Sequence, residues 1–260
     1  MEKKIINYKI IIYNFIKKIF AYVGLEIRFK KNLNFDEIYK KYIKKNPVII
    51  DVGANEGQSI KRFDLIFNNC VIHSFEPIKK CFDKMVKDHP NKKNIKNNYA
   101  LSDKNTNKVF FINKHSYTSS FNRINKSYDQ LHEKDKTKNN IKVKTMKLDT
   151  YVDLNKIKKI DILKIDTQGH ELDVLKGAKN SLKKNIFNFV EVEIILCDYY
   201  TKKISLHKID RVMCENNFDL FNFQEFAYSK NNQIKWFDML YINKKFKQKS
   251  VSTKKITSNF

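Results

Sequence analysis

Three acidic residues in this chain each stand directly behind a run of strand-forming side chains. Val48-Ile49-Ile50 leads into Asp51, and Gly53, Asn55 and Gly57 follow closely. Val71-Ile72-His73-Ser74-Phe75 leads into Glu76-Pro77. Ile160-Asp161-Ile162-Leu163-Lys164-Ile165 leads into Asp166-Thr167-Gln168-Gly169-His170-Glu171. Ligands of open α/β sheets sit outside the carboxyl ends of the strands, so these acids are expected to meet at one site. Gly53 and Gly57 allow close backbone approach to a ligand, and the start of the helix behind them offers unpaired N–H groups.

The spacing says which ligand. A dinucleotide turn requires G-x-G-x-x-G, and Gly53-Ala54-Asn55-Glu56-Gly57 does not meet it. An NAD-dependent nucleotide-sugar oxidoreductase is therefore disfavoured. Asp51 can accept from an ammonium group. Glu76, about twenty residues past the turn, stands where an acid binds ribose hydroxyls. An amine and a ribose together describe S-adenosylmethionine better than NAD. Ser102-Asp103, behind the strand-like stretch Ile95–Leu101, is the candidate for the adenine edge.

The third acidic block holds the candidates for proton transfer. Asp166, His170 and Glu171 lie close in sequence, and each is a side chain able to act as a general base. Glu191 and Glu193, at i and i+2 of the run Phe189–Leu196, share one face of a strand. Glu193, nearer the carboxyl end, is the site candidate, and Glu191 is read as a structural acid paired with a lysine, because a buried acid needs a partner. A divalent metal on Asp166, Glu171 or Glu193 would suit oxygen ligands, but the sequence does not establish one. The polar insertion 113–140 is read as a loop on the acceptor side, with Ser119 and Ser120 as contacts.

The elements that must position these residues alternate. A helical connector over Phe35–Lys45 precedes the first strand. A helix over Gln58–Phe67 follows the glycine turn, and Pro77 suits the first position of the next helix. Val109–Ile112 and Val143–Leu148 read as strands, and Ser205–Asn217 as a helix. Leu220–Phe226 and Trp236–Ile242 read as an antiparallel pair. The order predicts a doubly wound α/β sheet, mostly parallel, closed by an antiparallel C-terminal hairpin. The expected organisation is a helical leader and connector over 1–45, one catalytic domain over 46–243, and a basic tail over 244–260 without structure.

Composition narrows the class. The chain has 260 residues, a hydrophobic content of 42% and a formal charge of +24. Such a charge suggests nucleic acid, but the arginines are only Arg28, Arg62, Arg123 and Arg211, and base readout favours arginine. An RNA methyltransferase is thus the weaker reading, and no separate RNA-binding module is visible. A non-catalytic scaffold would leave the three strand-end acids without a task. Cys70, Cys81, Cys197 and Cys214 show no zinc spacing and fit reduced thiols of a cytoplasmic protein. Residues 1–31 carry an apolar stripe broken by Lys9, Lys17 and Lys18. That pattern fits a helix packed on the domain or a peripheral contact of residues 1–27 with the inner membrane face, rather than a span. No signal-peptide cleavage pattern is seen.

From about Asn46 to Asn243 the chain resembles the FkbM family of S-adenosylmethionine-dependent methyltransferases. The matching words are Ile50-Asp51-Val52-Gly53-Ala54-Asn55-Glu56-Gly57, Phe75-Glu76-Pro77, Ala100-Leu101-Ser102-Asp103, Leu148-Asp149 and Lys164-Ile165-Asp166-Thr167-Gln168-Gly169-His170-Glu171, followed by Val174-Leu175-Lys176-Gly177-Ala178 and Glu191-Val192-Glu193. The resemblance implies a class I methyltransferase (Rossmann-like) fold, S-adenosyl-L-methionine as donor, and O-methylation of a sugar or other small hydroxylated acceptor, here of a glycan or its precursor. Many members have Glu where this chain has Gln168, and an aromatic or small residue in place of His170.

Overall fold

Beginning at Phe35 the chain alternates helix and strand as its hydrophobic pattern dictates. A first helix, α1 (Phe35–Tyr42), leads to β1 (Val48–Val52), α2 (Gln58–Ile66), β2 (Val71–Phe75) and α3 (Lys79–Asp88). Next come β3 (Asn94–Asn97), β4 (Ala100–Leu101), β5 (Thr106–Asn113), a 3-10 turn (Ser116–Thr118) and β6 (Thr137–Met146). The second half runs α4 (Leu148–Leu154), β7 (Ile160–Ile165), α5 (Glu171–Gly177), α6 (Lys179–Lys183), β8 (Phe187–Ile195), α7 (Leu206–Glu215), β9 (Phe218–Tyr228), β10 (Ile234–Asn243) and α8 (Lys244–Ser252). The computed structural model describes residues 33–128, 136–202 and 205–252. The chain divides into two units, Met1–Asn34 and Phe35–Phe260, and this architecture belongs to the second. The leader helix expected over residues 1–31 lies outside the described residues. Among the described residues, no helix is long and apolar enough to cross a membrane.

Seven strands form one sheet in the order β3-β2-β1-β7-β8-β10-β9, and β4, β6 and β5 form a second. In the large sheet β10 alone runs against both of its neighbours, β8 and β9. The carboxyl ends of β1, β2 and β7 therefore lie side by side, with Asp51 in register with Lys164 and Ser74. One face is apolar: Ile50, Val52, Leu163, Ile165, Val190 and Val192 pack in a single cluster with Val174, Leu175, Ile209 and Met213 of the covering helices.

The opposite face carries a row of buried charge. Asp51, Lys164 and Glu191 are consecutive register partners on β1, β7 and β8. In-register residues of parallel neighbours point to the same face. Glu191 is 2% exposed and is met by two helices. Arg62 of α2 binds it in a fork, at 2.7 and 3.2 Å, and reaches Asp36 at 2.8 Å through Nε. Tyr39 of α1 donates to it at 2.6 Å. The partner is thus an arginine rather than the lysine expected: the planar fork satisfies both carboxylate oxygens at once. Burial works against the Glu191 charge, but the Arg62 guanidinium holds its carboxyl below the usual range.

Four local expectations change. Pro77 lies two residues before α3, because the Glu76 carboxylate takes the Ile78 N–H at 2.7 Å and Ile78 caps the helix. The single strand expected near Ile95–Leu101 is two, β3 in the large sheet and β4 in the small one. Residues from Leu148 form a helix rather than prolonging a strand, and Asp149 there caps α6, accepting from Asn180 N and Ser181 N at 2.8 Å each. The tail opens with α8, whose first turn is capped by Asn243 Oδ1 and whose Phe246 ring stands edge-on to Phe189 at 5.5 Å.

The buried fork sets a stability test. Glu191→Ala leaves the Arg62 guanidinium, 24% exposed, with Asp36 as its one remaining carboxylate and should cost about 3 kcal/mol in urea unfolding. Tyr39→Phe removes one donor and should cost only about 1–2 kcal/mol. Equal losses would mean that packing, not charge, dominates there.

Candidate active site

Behind β1 the chain turns at once onto β2. Gly53 N and Ala54 N both donate to Phe75 O at 3.0 Å, and Gly53, Asn55 and Gly57 all have positive φ. At Gly53 no other residue fits, since a Cβ would lie 1.8 Å from the carbonyl oxygen of Asp166. Two strand-end turns thus touch backbone to backbone, and Asp166 N donates to Val52 O at 3.0 Å alongside. Glu76 closes the third side: its Oε2 accepts from Asn55 N at 2.9 Å.

The β7 turn is held from three directions. Glu171, fully buried, accepts with one oxygen from Thr167 N, Thr167 Oγ1 and Gly169 N, each at 3.0 Å. Ser120 donates to Gln168 O and Asn122 Nδ2 to Gly169 O, both at 2.6 Å. Gln168 and Gly169 have φ of 55° and 98°. The Gln168 amide then lies between two acids, donating to Asp166 Oδ1 at 3.1 Å and to Glu193 Oε2 at 2.6 Å. The insertion from residue 113 is therefore a clamp on this turn in its first part. Ser116 also donates to Asn55 Oδ1 at 3.1 Å, tying it to the other turn.

These turns enclose a cleft of about 360 Å³ lined by Gly53, Asn55, Glu76, Tyr117, Asp166 and Gln168 among others. A second chamber, of about 230 Å³, shares Lys164 and Asp166 with it and adds Glu193, Glu225, Trp236 and Asp238. Burial pushes the Glu76 carboxyl up to about 7 and that of Glu171 to about 7. Asp51 is raised to about 6 by burial, against the pull of Lys164. Both its oxygens are fully buried, and Lys164, whose Nζ stands 4.0 Å away, and Ser59 are the groups that favour its charge. Asp166 differs. Burial opposes its charge, but Lys164 at 3.2 Å and the Gln168 amide hold its carboxyl below the ordinary range. Glu193 is pushed well up by burial and by the neighbouring Asp166 charge.

The remaining sequence candidates lie elsewhere. Asp51, Gly57, Ser102, Asp103, His170 and Glu171 are not among the residues lining the cleft. Ser102 Oγ lies 2.8 Å from His170 Nε2, and Lys108 donates to both Ser102 and Asp103. Burial resists ionisation of Asp103, yet Lys108 and Ser102 hold it down at about 2. His170 stands at the position before α5 without a capping side-chain bond, packs on Phe121 with ring centres 4.3 Å apart, and is lowered to about 4 by burial. Its Nδ1 faces Asp173 at 3.3 Å, which fits a neutral ring with that nitrogen protonated. Ser119 lines the cleft and accepts from Asn113 N, whereas the Ser120 hydroxyl is spent on Gln168. Among the described residues, no three His, Cys, Asp or Glu side chains are grouped to hold a metal ion, Asp166, Glu171 and Glu193 included.

Sequence reasoning passed over Lys164, Arg62, Tyr117 and Tyr200, and gave Gln168 no role. Lys164 had a visible signal, a cation two residues before the strand-end acid Asp166 in a run whose neighbours Leu163 and Ile165 are apolar. Tyr200 had none: its hydroxyl reaches Thr118 O at 2.7 Å and Gln168 Oε1 at 3.0 Å from another part of the chain.

Residues 51–220, well over half of the chain, match the methyltransferase FkbM domain. A hexuronic acid methyltransferase, AglP, of Haloferax volcanii is 41% identical over 58 residues, which cover 22% of this chain and only 23% of that protein. Among solved structures, a putative rRNA methylase from Clostridium thermocellum is similar at 10% identity and a TM-score of 0.46, over 83% of this chain and 99% of that one. Magnesium protoporphyrin IX methyltransferase from Synechocystis PCC 6803, with bound S-adenosylmethionine, is similar at 8% identity and a TM-score of 0.42, over 88% and 96%. With its strand-end acids, its glycine turn and its sheet order, the chain belongs to the methyltransferase FkbM domain family.

Proposed function

We propose that the protein transfers the methyl group of S-adenosylmethionine to a hydroxyl of a small acceptor, a sugar of a glycan or glycan precursor. The observation that carries this reading is the Asp166–Gln168–Glu193 arrangement, standing where the 360 Å³ cleft meets the 230 Å³ chamber.

The residues of the cleft suit the donor. Asp51 does not line the cleft; its buried carboxylate stands 4.0 Å from the Lys164 Nζ that does, and its charge is the one proposed to draw the donor's ammonium group. Gly53, Asn55 and Gly57 shape the turn, and Glu76 keeps lone pairs for ribose hydroxyls beyond the two N–H groups it accepts. Ile78 and Phe110 give an apolar wall for the adenine. Ser102 and Asp103 are engaged with His170 and Lys108 and take no part in the cleft wall. When bound, the donor supplies an electrophilic methyl carbon; the protein supplies position and a proton acceptor.

Asp166 is the proposed acceptor of the hydroxyl proton, kept ionised by Lys164 and aimed by Gln168. Glu171 holds the turn that carries Asp166, and His170 anchors the start of α5. Glu193, Glu225 and Asp238 accept from further hydroxyls, and Trp236 offers a ring face to the apolar side of a sugar. Ser119 lies on the same path. The likeness to a hexuronic acid methyltransferase supports a sugar acceptor. The chamber's five acids against the single cation Lys164 favour a neutral or amino sugar over a hexuronate.

Asp166→Asn should keep its affinity for the donor in calorimetry and lose ~10²–10⁴ in turnover. A variant that no longer binds the donor would place Asp166 in the donor site instead. Because Asp166 is held low, it should stay ionised as pH falls from neutrality to the ordinary carboxylate value of about 4, whereas donor affinity should weaken as Glu76 and Asp51 take up protons near pH 7 and 6. Gln168→Leu removes a donor to the charged form of Asp166, so the acidic limb of kcat at saturating donor should move to higher pH. A limb that does not move excludes Asp166 as the titrating base.

A further inference from the structure

The two edges of the large sheet carry opposite charge. At the carboxyl edge the chamber beside the cleft is lined by five acids and one lysine. At the amino edge lies a groove of about 870 Å³ lined by eight lysines, with Asp161 as its one acid. Asp161 is already engaged, by Lys159 at 2.7 Å, Asn188 at 2.7 Å and Val48 N at 3.1 Å. The lysines arrive from separate places that the topology brings together. Lys44 and Lys45 precede β1, Lys158 precedes β7, Lys184 precedes β8, and Lys245 lies on α8, which follows the antiparallel β10. All five are exposed.

We propose that this groove docks the protein on an anionic phospholipid surface, with the active-site edge turned away from it. Lysine is a compact point charge that needs no fixed partner geometry, which suits a field of headgroup phosphates; arginine, the residue of base recognition, is absent from the groove. The aromatic rings present are not platforms for bases. Tyr42 packs at steep angles with Phe189 and Phe221, and Phe246 with Phe189, a cluster of crossed rings rather than a row of parallel platforms for successive bases. Charge separated between two edges also orients a molecule as it approaches a negative surface. In the sequence, the apolar-striped residues 1–27, outside the described residues, precede α1; stable attachment needs an apolar signal as well as a basic one.

The test uses the full chain and vesicles of phosphatidylcholine alone or mixed with phosphatidylglycerol. Wild type should co-sediment with the mixed vesicles only, and less so as salt rises. Lys44→Glu, Lys45→Glu, Lys158→Glu and Lys245→Glu together should weaken that partitioning by roughly tenfold or more. The same four changed to Gln should weaken it less. A control with equal charge change elsewhere, Lys80→Glu, Lys87→Glu, Lys92→Glu and Lys142→Glu, should keep most of it. Donor binding by calorimetry should survive in all three sets and reports folding independently of docking. Equal loss in groove and control sets would reduce the effect to net charge and overturn the proposal. So would a groove variant that loses binding to homopolymer RNA while retaining vesicles, since that result assigns the groove to nucleic acid.

Discussion

One cation, Lys164, holds the site together. It sits in the middle of a sheet with Asp51 on one neighbouring strand and Glu191 on the other, and Asp166 follows directly behind the end of its own strand. Burial alone would strip its proton, yet the surrounding carboxylates keep it charged, Asp166 foremost and then Asp51 and Glu191. The arrangement is reciprocal. Without Lys164 the acids would repel one another in a poorly solvated space. Without the acids the lysine could not remain charged. Arg62 completes the balance from outside the sheet by answering Glu191, which leaves Lys164 to serve the two acids nearest the cleft.

That electrostatic centre requires accurate backbone. The turns after β1 and β7 approach so closely that the Asp166 carbonyl occupies the space where a side chain at Gly53 would lie. Glu171, Ser120 and Asn122 then lock the second turn from below and from the side. The result is that Gln168 adopts a backbone conformation uncommon for a side chain of its size, and its amide is delivered between Asp166 and Glu193. Hydrogen bonds around the turn offset the local strain.

The fold was legible because its signals are local. Apolar runs ending in Asp51, Glu76 and Asp166 announce parallel strands, and the turns behind them announce helices; the strands appear where expected, and the helix behind Glu76 starts two residues late. What escaped depended on contacts between distant segments. Nothing near Glu191 says that its partner is Arg62, 129 residues away. Nothing near Ser120 says that its hydroxyl closes on Gln168 rather than on a ligand. His170 resembled a base by its position after a strand, yet it turns inward to Ser102 because a helix start buries that ring against Phe121. The tail's lysines read as solvated chain, but Phe246 gives α8 an anchor on Phe189.

The reversed direction of β10 has a further consequence. A strand running against its neighbours begins where they finish, so Trp236 and Asp238 arrive beside Glu193 although the hairpin that bears them belongs to the last part of the domain. Donor-side and chamber-side walls are thereby encoded by separate stretches of the gene. Natural drift within that hairpin can recast one wall while β1 and β2 stay as they are, a division that lets one scaffold diversify without being rebuilt.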